Sequence, residues 1–179
     1  MRKSLLAMVM TAAASLVTSA ANAQTATQDI TISATVPKAC TINNVGSGTL
    51  DTATIAITAA GAVNIAPVTP TAAPYANVAC NAPSNLQLTS QGGGLTGPGA
   101  VGGFDNIINY TGSATWNSVT ATVNTATVAT AAGAEAGTAQ AVATANSGNL
   151  TVTITPTANA QPLVMGGYTD TLRVTLTPQ

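Results

Sequence analysis

Leu150-Thr151-Val152-Thr153-Ile154-Thr155 decides the fold. Side chains of an extended chain point alternately to opposite faces, so this stretch puts Leu150, Val152 and Ile154 on one face and three threonines on the other. A helix would scatter the same apolar side chains around its circumference. The pattern predicts a half-buried antiparallel strand with a wet, hydroxylated outer face. It returns in Leu172-Arg173-Val174-Thr175-Leu176-Thr177 near the end of the chain.

Outward from these two segments, period-2 alternation recurs over residues 30–36, 39–42, 54–58, 75–80, 85–90, 104–110 and 118–128. Gly and Pro punctuate the intervals: Pro37 ends the first run, Gly61, Pro67, Pro70 and Pro74 fall in one gap, and Gly92 to Gly103 mark another. Residues 131–145 lean helical in composition, but Gly133, Gly137 and several threonines weaken a helix, and a loop is expected there. Short strands about 8 to 12 residues apart with turn residues between them point to one all-β antiparallel sandwich. A β-helix is the second architecture, and the uneven loops break its constant rung.

Charged residues make up 5% of the chain, which leaves little to neutralise phosphates, and nucleic acid is not an expected partner. Histidine is absent, which excludes His-based triads and imidazole metal ligands. Ala and Thr dominate the composition and aromatics are 3% of it, so the core is expected to be aliphatic, with Trp116, Phe104, Tyr75, Tyr110 and Tyr168 as filler.

Residues 1–23 read as a cleaved export signal: Arg2 and Lys3, an apolar run from Leu5 to Val17, then Ala21-Asn22-Ala23. The run is shorter than the ~20 residues a membrane-spanning helix needs, and no direct membrane insertion is expected. Export to an oxidising compartment makes Cys40 and Cys80 a disulfide pair.

The acids Asp29, Asp51, Asp105, Glu135 and Asp170 are scattered, and no two adjoin to suggest an acid–base pair. Asp170 follows Gly166-Gly167-Tyr168 at a strand entrance, where a carboxylate commonly binds turn amides. The glycines of 92–103 lack the Lys-Ser/Thr partner of a phosphate loop. No enzyme, cofactor or metal site is expected. A carboxylate-based hydrolase is the remaining catalytic reading.

Three segments carry a family likeness: QDITISATVPKACTI (28–42), NVACNAPSNLQLTSQGGGL (77–95) and GGYTDTLRVTLTP (166–178). Their order after an export signal resembles the spore coat protein U family, which includes subunits of archaic chaperone–usher pili. The resemblance implies an incomplete immunoglobulin-like antiparallel sandwich that lacks its last strand and is completed by the N-terminal segment of another subunit. It makes residues 24–37 the donor segment, with Ile30, Ile32, Ala34 and Val36 inserting, and residues 38–179 the sandwich. Tyr168, Asp170, Leu172, Val174 and Leu176 become its C-terminal strand. The partners implied are identical or related subunits, a periplasmic chaperone and an outer-membrane usher, with passage through the periplasm to the cell surface. The alternative reading is a stand-alone secreted binding module or adhesin tip. In Gly48-Thr49-Leu50-Asp51-Thr52 the chain departs from the Phe-Gly-type segment expected after the first cysteine, and it ends Thr177-Pro178-Gln179 without a penultimate Tyr.

Overall fold

A computed structural model describes residues 26–43, 46, 48, 51–127 and 133–179. It divides into two compact units, residues 1–35 and 36–179. The expected export signal lies outside the described residues. Of the first unit, residues 26–35 belong to no helix or ladder and are exposed. Alternation there predicted a strand, and an isolated alternating segment has no second chain to exchange backbone hydrogen bonds with.

The second unit is an all-β antiparallel sandwich. Its strands are β1 (Cys40–Thr41), β2 (Tyr75–Cys80), β3 (Ser84–Ser90), β4 (Leu95–Thr96), β5 (Ile107–Ile108), β6 (Tyr110–Trp116), β7 (Val119–Asn124), β8 (Glu135–Ala136), β9 (Gln140–Val142), β10 (Asn146–Pro156) and β11 (Leu172–Pro178). One sheet runs β1-β2-β10-β6-β7, and the other runs β11-β3 with β8 and β9 on the far side of β3. β4 and β5 form a small separate pair.

The deciding stretch lies in the middle of β10. Leu150, Val152 and Ile154 pair with Trp116, Ala114 and Gly112 of β6, and the threonines between them turn outward. Across the sandwich, Leu86 and Leu88 of β3 meet Trp116, Val123 and Leu150 in the main core. Turn chemistry fixes the registers. Asn117 and Ser118, both left-handed at φ 50° and 62°, make the two-residue turn that pairs Trp116 with Val119. Ser118 thus belongs to the turn, and the expected strand 118–128 starts at Val119 and gives way to a 3-10 turn at Thr125–Thr127. Asn77, at φ 57°, sits where the β2–β10 register slips between Gly148 and Leu150.

Three more expectations need correction. Residues 135–142, expected to be a loop, supply β8 and β9, because β3 offers them an edge that local composition does not reveal. Phe104, expected to fill the core, is exposed on a loop, while Trp116, Tyr110 and Tyr75 are buried. Residues 54–58 form an isolated bridge, Ile57 with Val63, instead of a strand.

Candidate functional site

The two long seams of the sandwich differ. On one side, β8 and β9 lean from β3 towards β7: the Gly137 amide donates to the Leu88 carbonyl at 2.9 Å, and the Gln87 Nε2 donates to the Gly137 carbonyl at 2.9 Å. Gly137 lies so close to the Thr122 carbonyl oxygen that a Cβ would have no room. That seam is closed by backbone against backbone.

On the opposite side β11 and β1 end their sheets, and among the described residues each pairs with a single neighbour, β3 and β2 respectively. Between them runs a groove of about 890 Å³. Leu172, Val174 and Leu176 of β11 form one wall, Cys40 and Ile42 the other, and Tyr75, Val152 and Ile154 contribute the floor. Inward-facing residues of a completed sandwich are sealed. Here Val174 stands beside Leu88 and Leu176 beside Leu86; both leucines are 0% exposed, yet Val174 and Leu176 remain half-buried. The difference arises from position in the sheet: β3 has neighbours on both sides and β11 on one. An edge strand with an apolar inner face presents unpaired amides and uncovered side chains together, the two features that strand addition satisfies.

Asp170 organises the end of the groove where β11 begins. Its carboxylate accepts from the Ser90 hydroxyl at 2.5 Å, the Tyr110 hydroxyl at 2.6 Å, and the amides of Gly92 and Thr171, each at 2.7 Å. Burial pushes the Tyr110 phenol well above its ordinary value, and its bond to Asp170 pushes the same way. Tyr75, on the floor, is raised by burial and by nearby Asp51. The Tyr168 ring packs against Gly97 with no room for a Cβ there, and its hydroxyl donates to the carbonyls of Val164 and Asp105 at 2.9 and 3.2 Å. Burial raises its phenol as well. Tyr168 and Asp170 precede the C-terminal strand, which starts at Leu172; their side chains fix the turn into it, whereas they were expected to be part of it.

At the other end of the groove, Cys40 and Cys80 face one another across β1 and β2 and are bonded as a disulfide. Asn81 next to them holds the chain leading in: its Nδ2 donates to the Pro37 carbonyl at 2.8 Å, and its Oδ1 accepts the Ala39 amide at 2.7 Å. The Lys38 ammonium donates to the Gln179 carbonyl at 2.5 Å. The chain therefore enters the sandwich through Pro37 and Lys38, beside the far end of β11 and directly after Ile30, Ile32, Ala34 and Val36 in sequence. Those residues are exposed, Ile30 by 85%, Ile32 by 91% and Val36 by 77%.

Sequence reasoning missed Asn81, Ser90 and Tyr110. Asn81 carried a signal, since an Asn directly after a cysteine that ends a strand suits a turn-binding role. Ser90 and Tyr110 lie 80 and 60 residues from Asp170 in the chain, and nothing local joins them. Comparison with protein-family models, curated proteins and solved structures found no match.

Proposed function

We propose that this chain is a non-enzymatic structural subunit of a chaperone–usher type fimbria or coat-like surface assembly. The donor segment, residues 24–37 of one copy, enters the groove beside β11 of another through Ile30, Ile32, Ala34 and Val36. The observation that carries this reading is the half-burial of Val174 and Leu176 beside fully buried Leu88 and Leu86. The same chain supplies a fitting occupant, because Ile30, Ile32, Ala34 and Val36 alternate at the period of a strand and face solvent.

Burying two isoleucines and a valine contributes roughly 5 to 9 kcal/mol before the ordering of the segment is subtracted. A joint of that strength releases slowly, as a fibre requires. An open groove would also be an aggregation hazard in transit, and a periplasmic chaperone that lends a strand to the β11 edge, with an outer-membrane usher where the exchange occurs, answers that need.

The test is to place charges where the aliphatics stand. Ile30→Asp with Ile32→Asp, exported and purified as the full chain, is expected to run as a monomer where the unsubstituted protein gives an SDS-resistant, heat-labile ladder. Ladders that persist with both aspartates in place would refute strand donation.

A further inference from the structure

Residues 105–109, which lead into β6, and residues 157–161, which follow β10, are tied to each other at both ends. At one end the Thr157 amide donates to the Asn109 carbonyl at 2.8 Å. At the other, the Gln161 amide donates to Asp105 Oδ2 at 2.8 Å and the Asp105 amide donates to the Pro162 carbonyl at 2.9 Å. Between those ties no backbone bond among the described residues joins the two segments, and they line a cavity of about 300 Å³. Asn159 anchors one wall: its Oδ1 accepts the Val63 amide at 2.8 Å, and its Nδ2 donates to the carbonyls of Gly61, at 3.1 Å, and of Gln161. The cavity is therefore braced by the fold itself, and it shares no lining residue with the groove beside β11.

Its lining holds unspent hydrogen-bonding capacity of both kinds. Asp105 uses Oδ2 on the Gln161 amide, which leaves Oδ1 as an acceptor. Asn109 uses Oδ1 on the Thr125 hydroxyl at 3.3 Å, which leaves Nδ2 as a donor. The Asn106 carboxamide and the Thr157 hydroxyl make no hydrogen bond among the described residues, and both residues line the cavity. Each of those two groups can donate and accept. Ile107, Ala158 and Ala160 add apolar surface to the same lining. A few polar groups set among apolar ones is the make-up of a small-ligand site, where the polar groups fix orientation.

Charge narrows the class of ligand. Lys38 and Arg173 are the cationic side chains among the described residues, and neither lines the cavity, whereas Asp105 does. An anionic ligand would meet a carboxylate with no opposite charge to offset it. A calcium ion takes about 6 to 8 oxygen ligands, and a single carboxylate with one oxygen already bonded falls short of that set. Saccharide hydroxyls donate and accept at the same atom, which matches the mixed lining. We propose that this cavity binds a neutral saccharide of about one or two rings. Asp105 Oδ1 accepts from one sugar hydroxyl, the carboxamides of Asn106 and Asn109 donate to others, and Ile107 covers a C–H face of the ring. The site uses no residue of the groove, so it stands independently of strand donation.

Saturation-transfer NMR, read on the protons of the sugar, tests this with the full exported chain whether it is monomeric or assembled. The probes are the methyl glycosides of glucose, galactose, mannose and N-acetylglucosamine, together with maltose and lactose. At least one is expected to bind saturably with millimolar affinity, and Asn106→Ala plus Thr157→Val is expected to weaken it about tenfold through lost hydrogen bonds. Neither side chain bonds to the rest of the described fold, so the double variant should melt with the unsubstituted protein; Asn106→Ala alone carries the comparison if it does not. No saturable transfer from any of these sugars, or equal affinity for the variants, would overturn the site. Sialic acid binding as tightly as the neutral sugars would overturn it too. Calorimetric titration with calcium chloride supplies a further check: calcium binding that Asp105→Asn abolishes, with no sugar bound, would make this a cation site instead. Ile30→Asp plus Ile32→Asp is expected to bind the sugar as the unsubstituted chain does, so either reading can fail while the other stands.

Discussion

Val174 and Leu88 stand side by side across the β11–β3 ladder, facing the same interior, and only Leu88 is sealed from water. The next inward pair, Leu176 and Leu86, repeats the difference. Truncating the sealed member should therefore cost more. In the monomer, Leu86→Ala is expected to lower stability by roughly 3 to 5 kcal/mol and Leu176→Ala by about 1 to 2 kcal/mol, read from urea denaturation. If strand donation occurs as proposed, an inserted strand covers Leu176 in the assembled form and the gap should narrow there. Equal losses in the monomer would mean the groove is already filled.

The disulfide joins residues 40 positions apart, and closing a loop of that length restricts the unfolded chain. Reduction is expected to cost about 4 kcal/mol, measured by denaturation with and without a thiol reductant. Cys40→Ala plus Cys80→Ala should match the reduced protein.

Asp170 accepts four hydrogen bonds at the mouth of β11, two of them from the hydroxyls of Ser90 and Tyr110. Asp170→Ala strands both hydroxyls and is expected to destabilise the fold by roughly 2 to 4 kcal/mol. Asp170→Asn keeps an acceptor oxygen and should cost about half as much. Thermal melts of the two variants would separate lost bonding from lost charge.

Alkaline pH gives an independent reading of Tyr110. Burial, helped by the bond to Asp170, raises its folded-state value above that of the unfolded chain. Proton linkage then makes its contribution complete at neutral pH and progressively lost as pH climbs past about 10, where the unfolded phenol ionises first. Tyr75 and Tyr168 are raised too, so Tyr110→Phe should flatten the alkaline decline without abolishing it. The measurement is the denaturation midpoint at pH 7 to 11 for both proteins. Identical slopes would place the Tyr110 hydroxyl in water.

Gly137→Ala tests the closed seam. A methyl group there meets the Thr122 carbonyl oxygen, and pushing two backbones apart is expected to cost about 1 to 3 kcal/mol. Protection of the amides in β8 and β9 against hydrogen exchange should fall with it.

Much of the sandwich was legible because threonine alternates with large aliphatics in β10 and β11, a pattern that admits one reading. Cys40 and Cys80 were legible as a pair for a similar reason: with two cysteines in the chain there is one possible bond. β8 and β9 were hidden because Glu135-Ala136 and Gln140-Ala141-Val142 hold one large aliphatic between them, too little for a readable alternation, and Gly137, which reads as a helix breaker, is required by the close approach to Thr122. Phe104 was misplaced because hydrophobicity alone does not say whether a ring fills a core or lies on a loop. The groove itself depends on β11 having, among the described residues, the one neighbour β3. Val174 and Leu176 have the same sequence pattern whether or not a strand covers them.

Cys40 is the first residue of β1, a strand of two residues that such a short ladder could not keep in place under a sustained pull. Tension applied through residues 26–36 meets the hydrogen bonds of Pro37, Lys38 and Ala39 and then, at Cys40, crosses by a covalent bond to Cys80, on a strand flanked by β1 and by β10. Load entering at the tail is thus shared with the middle of the sheet, and β1 cannot peel away like a zip.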